Sequence, residues 1–145
     1  MSSSQQFCTF YLDDLLFGIE SRLIQEVVRS LELTEVPLAP ETVSGLMNLR
    51  GQIVLAIDLR RRLELPPRPD GVAPMSVVVH SAEGAVGLLV DDIGDVIEVD
   101  EESFEPSPET LSERLRSVIL GVHKLDRRLM HVLATAQICA ADAAN

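Results

Sequence analysis

Residues 45–59 read GLMNLRGQIVLAIDL, an apolar run broken by Asn48-Leu49-Arg50-Gly51. What flanks that break decides the fold. Upstream, Glu41 to Leu49 is predicted as a short helix ended by Gly51, since glycine readily takes the left-handed conformation that stops a helix. Downstream, QIVLAIDL (52–59) has the unbroken aliphatic content of a strand buried on both faces, or nearly so. Asp58 is placed to cap a brief helix from Arg60 to Leu65 whose cationic side faces solvent. Arg50 is the odd residue. A guanidinium cannot shed its charge, so it needs a carboxylate or several carbonyls wherever water is excluded. Two readings stay open. One is a helix-end arginine satisfied by backbone carbonyls; the other is a fixed cation at the rim of a binding groove, held by Glu26 from an otherwise apolar stretch.

Outward from this stretch the chain reads as short strands. FCTFYLDDLLFGIE (7–20) is a hairpin around Asp13-Asp14. SRLIQEVVRSL (21–31) has helical spacing but β-branched residues, and a capped helical turn running into a strand, with Ser21 as cap, reconciles the two. EVPLAP (35–40) is extended, because each proline pushes its predecessor out of the helical region. LPPRPDGVAP (65–74) is the clearest internal seam. SVVVH (76–80), the turn AEG and AVGLLVDDI (85–93) form another hairpin, followed by the strand DVIEVD (95–100). SPETLSERL (107–115) is predicted to start a helix with Ser107 as cap and Pro108 at its first position. SVILGVHKL and LMHVLATAQI form a closing hairpin. About nine short strands at close intervals predict small barrels or a sandwich, not a doubly wound sheet. A frayed tail completes the chain.

Composition removes several function classes. The 145 residues are 46% hydrophobic, ample for a core, and the net charge of −11 disfavours phosphate backbones and anionic membranes. Aromatics are 3% and tryptophan is absent, which argues against a base-stacking nucleic-acid platform. The opening MSSSQQ lacks the features of a signal peptide, so a cytoplasmic protein without direct membrane contact is expected. Cys8 and Cys139 sit in no metal-binding spacing and read as reduced, partly buried thiols.

Candidate chemistry is sparse. Nine acidic residues and no basic one lie between Asp91 and Glu109, read as a solvated face because the ligand order of a calcium loop is missing. Pairing Lys124 with Met130 would set His123 opposite His131, but zinc wants a third ligand and none is apparent. Nucleophile elbows and phosphate-cradling glycine loops are also missing. No catalytic residue, metal or cofactor is expected, and the protein is not read as an enzyme.

Gly45-Leu46-Met47-Asn48-Leu49-Arg50-Gly51-Gln52-Ile53-Val54 with Ile57-Asp58-Leu59-Arg60 resembles the hallmark of the CheW coupling proteins of bacterial chemosensory arrays. Phe17-Gly18-Ile19 with Ile24-Gln25-Glu26-Val27, Val36-Pro37 through Ala39-Pro40, and Val86-Gly87-Leu88-Leu89-Val90-Asp91 leading to Val96 agree in order and spacing. The resemblance implies an all-β fold of two five-stranded SH3-like barrels sharing an apolar core. It would form a single domain over 7–138, with the seam near 65–75 and flexible tails at 1–6 and 139–145. A C-terminal helix found in some relatives is expected to be short or missing. The implied function is a non-enzymatic adaptor between the helical cytoplasmic tip of a chemoreceptor and the regulatory domain of a CheA-type histidine kinase, working at membrane-associated receptor arrays. Receptor-side positions carried over are Ile24, Glu26, Gly45, Asn48, Arg50, Ile93 and Val96, with Glu26 and Arg50 paired and Gly45 giving a helix close approach; kinase contacts are not carried over. The alternatives are an adaptor for gliding, pili or development, and a small metal- or ligand-binding barrel built on the two histidines.

Overall fold

The structure, a computed structural model, describes residues 4–29, 32–69, 71, 73–82 and 84–143, with side chains as far as residue 139. Expectations for Met1–Ser3, Ser30–Leu31, Asp70, Val72, Glu83 and Ala144–Asn145 lie outside the described residues. The first hairpin forms as the sequence indicates: β1 (Ser4–Leu12) and β2 (Leu15–Glu20) pair antiparallel up to Leu12 opposite Leu15. Asp13 makes the turn at φ 56°, a conformation that aspartate tolerates better than most residues. A 3-10 turn, Ser21–Leu23, then runs into β3 (Ile24–Val28). Ser21 does not cap that turn; its N-cap position is Glu20, and no side chain bonds there.

The predicted helix over 41–49 is a strand. β4 (Val43–Leu49) pairs antiparallel with β5 (Gln52–Asp58), Leu49 opposite Gln52, leaving Arg50-Gly51 as a two-residue loop. Gly51 reverses a hairpin and ends no helix. Met47 decides the competition: packing with Val54 and Val78 in a small satellite core outweighs a weak helical preference. The proline segment is not extended throughout either. Val36 accepts a hydrogen bond from the Ala39 amide at 3.3 Å, closing a turn in which Leu38 has φ 64° and stands fully exposed. α1 (Leu59–Arg62) is capped by Asp58, which accepts from the Arg60 amide. Its expected solvated side is wrong for two of the three arginines, since Arg60 and Arg62 are buried.

β6 (Met75–Ser81) and β7 (Gly84–Val90) form the next hairpin, and β8 (Asp92–Asp100) follows directly. After a 3-10 turn (Glu101–Ser103) come the two-residue β9 (Phe104–Glu105) and α2 (Glu113–Val118). The α2 cap is Ser112, whose Oγ accepts from the Leu115 amide at 3.2 Å. Ser107 and Pro108 lie ahead of it, with Pro108 in a turn closed by the Leu111 amide. β10 (Ile119–Lys124) and β11 (Leu129–Leu133) form the closing hairpin, but Lys124 faces Leu129, one residue off the expected register. His131 therefore opposes Val122 while His123 opposes Met130. Adjacent strand residues point to opposite faces, so the histidines are separated and the two-histidine metal site loses its geometry. The chain then forms α3 (Thr135–Ala143). That helix corrects the expected strand through Ile138, and at nine residues it is the short form of the C-terminal helix expected to be short or missing.

Two sheets result, one ordered β8-β1-β2-β11-β10-β9 and one ordered β3-β6-β7-β5-β4. They fit the two small SH3-like barrels of the expectation, with β9 as a short sixth strand in the first. The proline-rich stretch is not where the chain changes sheet, because α1 and β6, which it joins, both belong with the second sheet. The crossings fall at Ser21–Leu23 and at Asp91, so the second sheet is inserted between β2 and β8 of the first. One core binds the sheets: Phe10, Phe17 and Ile19 from the first pack with Ile57, Val77 and Leu88 from the second. Neither expected tail is loose where described. Ser4–Gln6 pair with β8, while Ile138 and Cys139 are buried against the core. Cys8 and Cys139 are buried and not joined.

His123 is fully buried between the Phe7 and Phe104 rings, and burial lowers its pKa. The sign follows from the unfolded chain binding the proton more readily. The contribution of this site is complete above the unfolded value of about 6.5 and shrinks as pH falls below it. Denaturant midpoints are expected to drop between pH 6.5 and 5, and His123→Phe should flatten that slope.

Candidate protein-binding groove

The Asn48-Leu49-Arg50-Gly51 break is the tip of the β4–β5 hairpin. Arg50 has φ 52° and Gly51 φ 87°, the double positive that two-residue hairpin loops with the right twist require. Asn48 stabilises it by accepting the Gly51 amide at 2.8 Å. A non-glycine residue held at positive φ stores strain of about 1 kcal/mol or more. The strain aims Arg50 across to β3, where its Nη2 donates to Glu26 Oε2. Gln25 donates to Gln52 at 3.1 Å beside it. β3 and β4 are the two edges of their sheet, so these contacts tie one rim to the other, as barrel closure requires. The Arg50 side chain is 73% exposed and that of Glu26 22%, so the pair adds at most about 1 kcal/mol to stability. Arg50 is thus a cation fixed in direction while open to a partner.

Gly45 does not leave room for a partner helix. A Cβ there would stand 2.7 Å from the Thr34 carbonyl oxygen, because Thr34 pairs with Leu46 through two backbone hydrogen bonds. The space serves the chain's own Leu33-Thr34 segment. Gly45→Ala is expected to destabilise by about 1–3 kcal/mol, with faster amide exchange at Leu46 and Thr34 as the local sign.

Ile93 and Val96 lie on β8, three residues apart, a spacing that would set them on opposite faces of a regular strand. A bulge intervenes. Ile93 is opposite Phe10 and Val96 is opposite Cys8, and the register shifts between those two partners. The extra residue brings both side chains to one face. Thr9 Oγ1 donates to the Asp95 carbonyl at 2.6 Å and fastens the bulge. Ile24 and Ile93 are both half-buried against the common core, one from each sheet. The structure therefore gathers Glu26, Asn48 and Arg50 at one rim of the second sheet and sets Ile93 and Val96 on β8 of the first, with Ile24 and Ile93 each packed against the common core. Sequence reasoning missed Ile53, opposite Asn48 and 60% exposed, an apolar surface beside Arg50. Its signal was hidden in a run read as doubly buried.

A second polar cluster was also missed. Arg60 makes a bidentate pair with Asp91, Nε to Oδ1 at 2.9 Å and Nη2 to Oδ2 at 2.5 Å, while its Nη1 donates to the Pro66 carbonyl at 2.7 Å. Asp91 also accepts from Arg68 Nε at 3.1 Å and from the Asp13 amide at 2.8 Å. The hydrogen bonds that Arg60 donates to Asp91 raise the Arg60 pKa. Burial alone would raise that of Asp91, but the bonds from Arg60 and the Asp13 amide and the charges of Arg60 and Arg68 outweigh it, so it is lowered. The cluster fastens the proline-rich connector to the β7–β8 crossing.

Comparison with known proteins gives the family and the fold. The family model described as CheW-like domain matches residues 6–143. The probable chemotaxis protein CheW of Rhizobium etli is 29% identical over 126 residues, covering 87% of this chain and 81% of that protein. The chemotaxis protein CheW of Helicobacter pylori is 29% identical over 137 residues, covering 94% and 82%. The crystal structure of the scaffolding protein TtCheW from Thermoanaerobacter tengcongensis superposes with a TM-score of 0.84 at 28% identity, covering 94% of this chain and 92% of that one. With these matches spanning both sheets, the hairpin and α3, the chain belongs to the CheW-like family of non-catalytic chemotaxis scaffold proteins.

Proposed function

We propose that this protein couples the helical cytoplasmic tip of a chemoreceptor to the regulatory domain of a CheA-type histidine kinase. The receptor tip lies along the surface bounded by Glu26 and Arg50 on one side and by Ile93 and Val96 on the other, with Ile24 at its floor. The observation that carries this reading is the Arg50–Glu26 pair, strained into place at the hairpin tip with the Arg50 side chain largely open to solvent. Ile53 and Val96 add exposed apolar area, which a helix laid in a groove needs. Asn48 shapes the loop, and Gly45 seats the segment behind it. Among the described residues no helix is long and apolar enough to cross a membrane, so a place at receptor arrays would come through the receptor. The test is assembly from purified parts. A receptor-tip fragment and a kinase regulatory domain should each co-elute with this protein and form a ternary complex together. Failure to bind either one alone would defeat the coupling role.

A further inference from the structure

A cavity of about 300 Å³ opens where the start of β1 and the end of β2 meet the turn before β9 and the outer face of β10. Phe7, Phe104 and Leu120 supply apolar wall, Glu20 and Glu101 supply carboxylates, and the His123 ring lines it. No lysine or arginine is among its lining residues. The protonation of His123 can be deduced from its neighbours. Ser103 Oγ donates its only proton to the Asp100 carbonyl at 2.8 Å, since a carbonyl can only accept. The same oxygen lies 2.7 Å from His123 Nδ1, so satisfying both contacts requires Nδ1–H to donate to it. The proton therefore sits on Nδ1, and Nε2 carries a lone pair. That Nε2 is buried and has no hydrogen-bond partner among the described residues. An orphaned buried acceptor of this kind is uncommon and calls for a donor.

We propose that this cavity binds a primary organic ammonium, which donates one N–H to His123 Nε2 and sets its charge against Glu101 and Glu20. Phe104, 44% exposed, adds an aromatic ring to the wall, and a ring quadrupole attracts cations. Glu20 already holds Arg22, at 2.5 Å, and Gln5, so Glu101 is the less committed carboxylate. Arg22 competes only at Glu20, which leaves Glu101 and the His123 acceptor to select a cation that carries an N–H. A carboxylate ligand would meet two carboxylates and a lone pair.

The experiment uses the full chain and two readouts. Long-range nitrogen spectra of the histidine side chains should give His123 as the Nδ1–H tautomer; the Nε2–H tautomer overturns the proposal without any ligand present. In titrations, n-butylammonium should give saturable amide shifts at Glu101–Phe104 and Leu120–His123. Tetramethylammonium, which has charge but no N–H, should bind about tenfold more weakly, the loss of one hydrogen bond between charged partners. Glu101→Gln, an exposed position, should also weaken binding, and His123→Phe should abolish it. A Gly-Lys-Gly peptide run in parallel separates the sources. Tighter binding of the peptide assigns the cavity to a lysine side chain of a partner, and tighter binding of butylammonium assigns it to a free amine. Absence of saturable shifts, or equal affinity for the two simple cations, overturns the proposal.

Discussion

Asp91→Ala is expected to lower the thermal midpoint by about 10 °C. The estimate rests on what the change leaves behind. Arg60 is 5% exposed and its two strongest partners are the oxygens of Asp91. Removing one member of a buried pair strands the other charge, at about 3–5 kcal/mol. For a chain of this length each kcal/mol shifts the midpoint by roughly 2–4 °C. Asp91→Asn, which keeps the shape and loses the charge, should fall between the variant and the wild type. The pH dependence gives an independent check. The folded pKa of Asp91 lies below its unfolded value, so its contribution is complete above about pH 3.9 and is lost as pH falls through the folded value. Wild type should lose stability steeply in that acid range, and Asp91→Ala should lose less because the contribution is already gone. This window is separate from that of His123, which opens at about 6.5. A midpoint within two or three degrees of wild type would mean that Arg60 finds enough carbonyls without Asp91.

The parts of the fold that were legible in the sequence are those where local pattern and tertiary packing agree. The Asp13-Asp14 hairpin forms as read, and β5 forms as a strand, although its first two residues are exposed against the expected burial on both faces. Misreadings fall where one local signal has two physical uses. Gly51 can end a helix or turn a hairpin, and only Met47 packing on Val54 selects between them. Ser107 and Ser112 can both cap, and α2 uses the one nearer its buried Leu115. Arg60 looked solvated because sequence cannot say that Asp91, thirty-one residues on, comes back to meet it. Of the candidate site, the Glu26–Arg50 pairing was visible as two charges set in apolar runs. The shared face of Ile93 and Val96 was not, because it depends on a bulge fastened by Thr9 from another strand.

Arg50→Glu should nearly abolish receptor-tip binding, while the protein unfolds at close to the wild-type midpoint. The two effects separate because the exposed pair contributes little to stability, whereas in a complex the guanidinium is covered and must be matched. Arg50→Ala is expected to weaken binding by roughly ten- to a hundredfold, in line with truncating one partner of an interfacial charge pair. Glu26→Ala should act in the same direction but less strongly, since it releases Arg50 from its fixed orientation without removing it. The cycle closes with Glu26→Arg combined with Arg50→Glu. If the pair merely ties the barrel rim together, the swap restores binding along with the ion pair. If Arg50 itself meets the receptor, the swap stays folded and fails to bind, because the cation now projects from β3 instead of from the strained hairpin tip. The second outcome is the one expected here. Binding of the receptor tip by Arg50→Glu at wild-type affinity would remove this rim from the interface altogether.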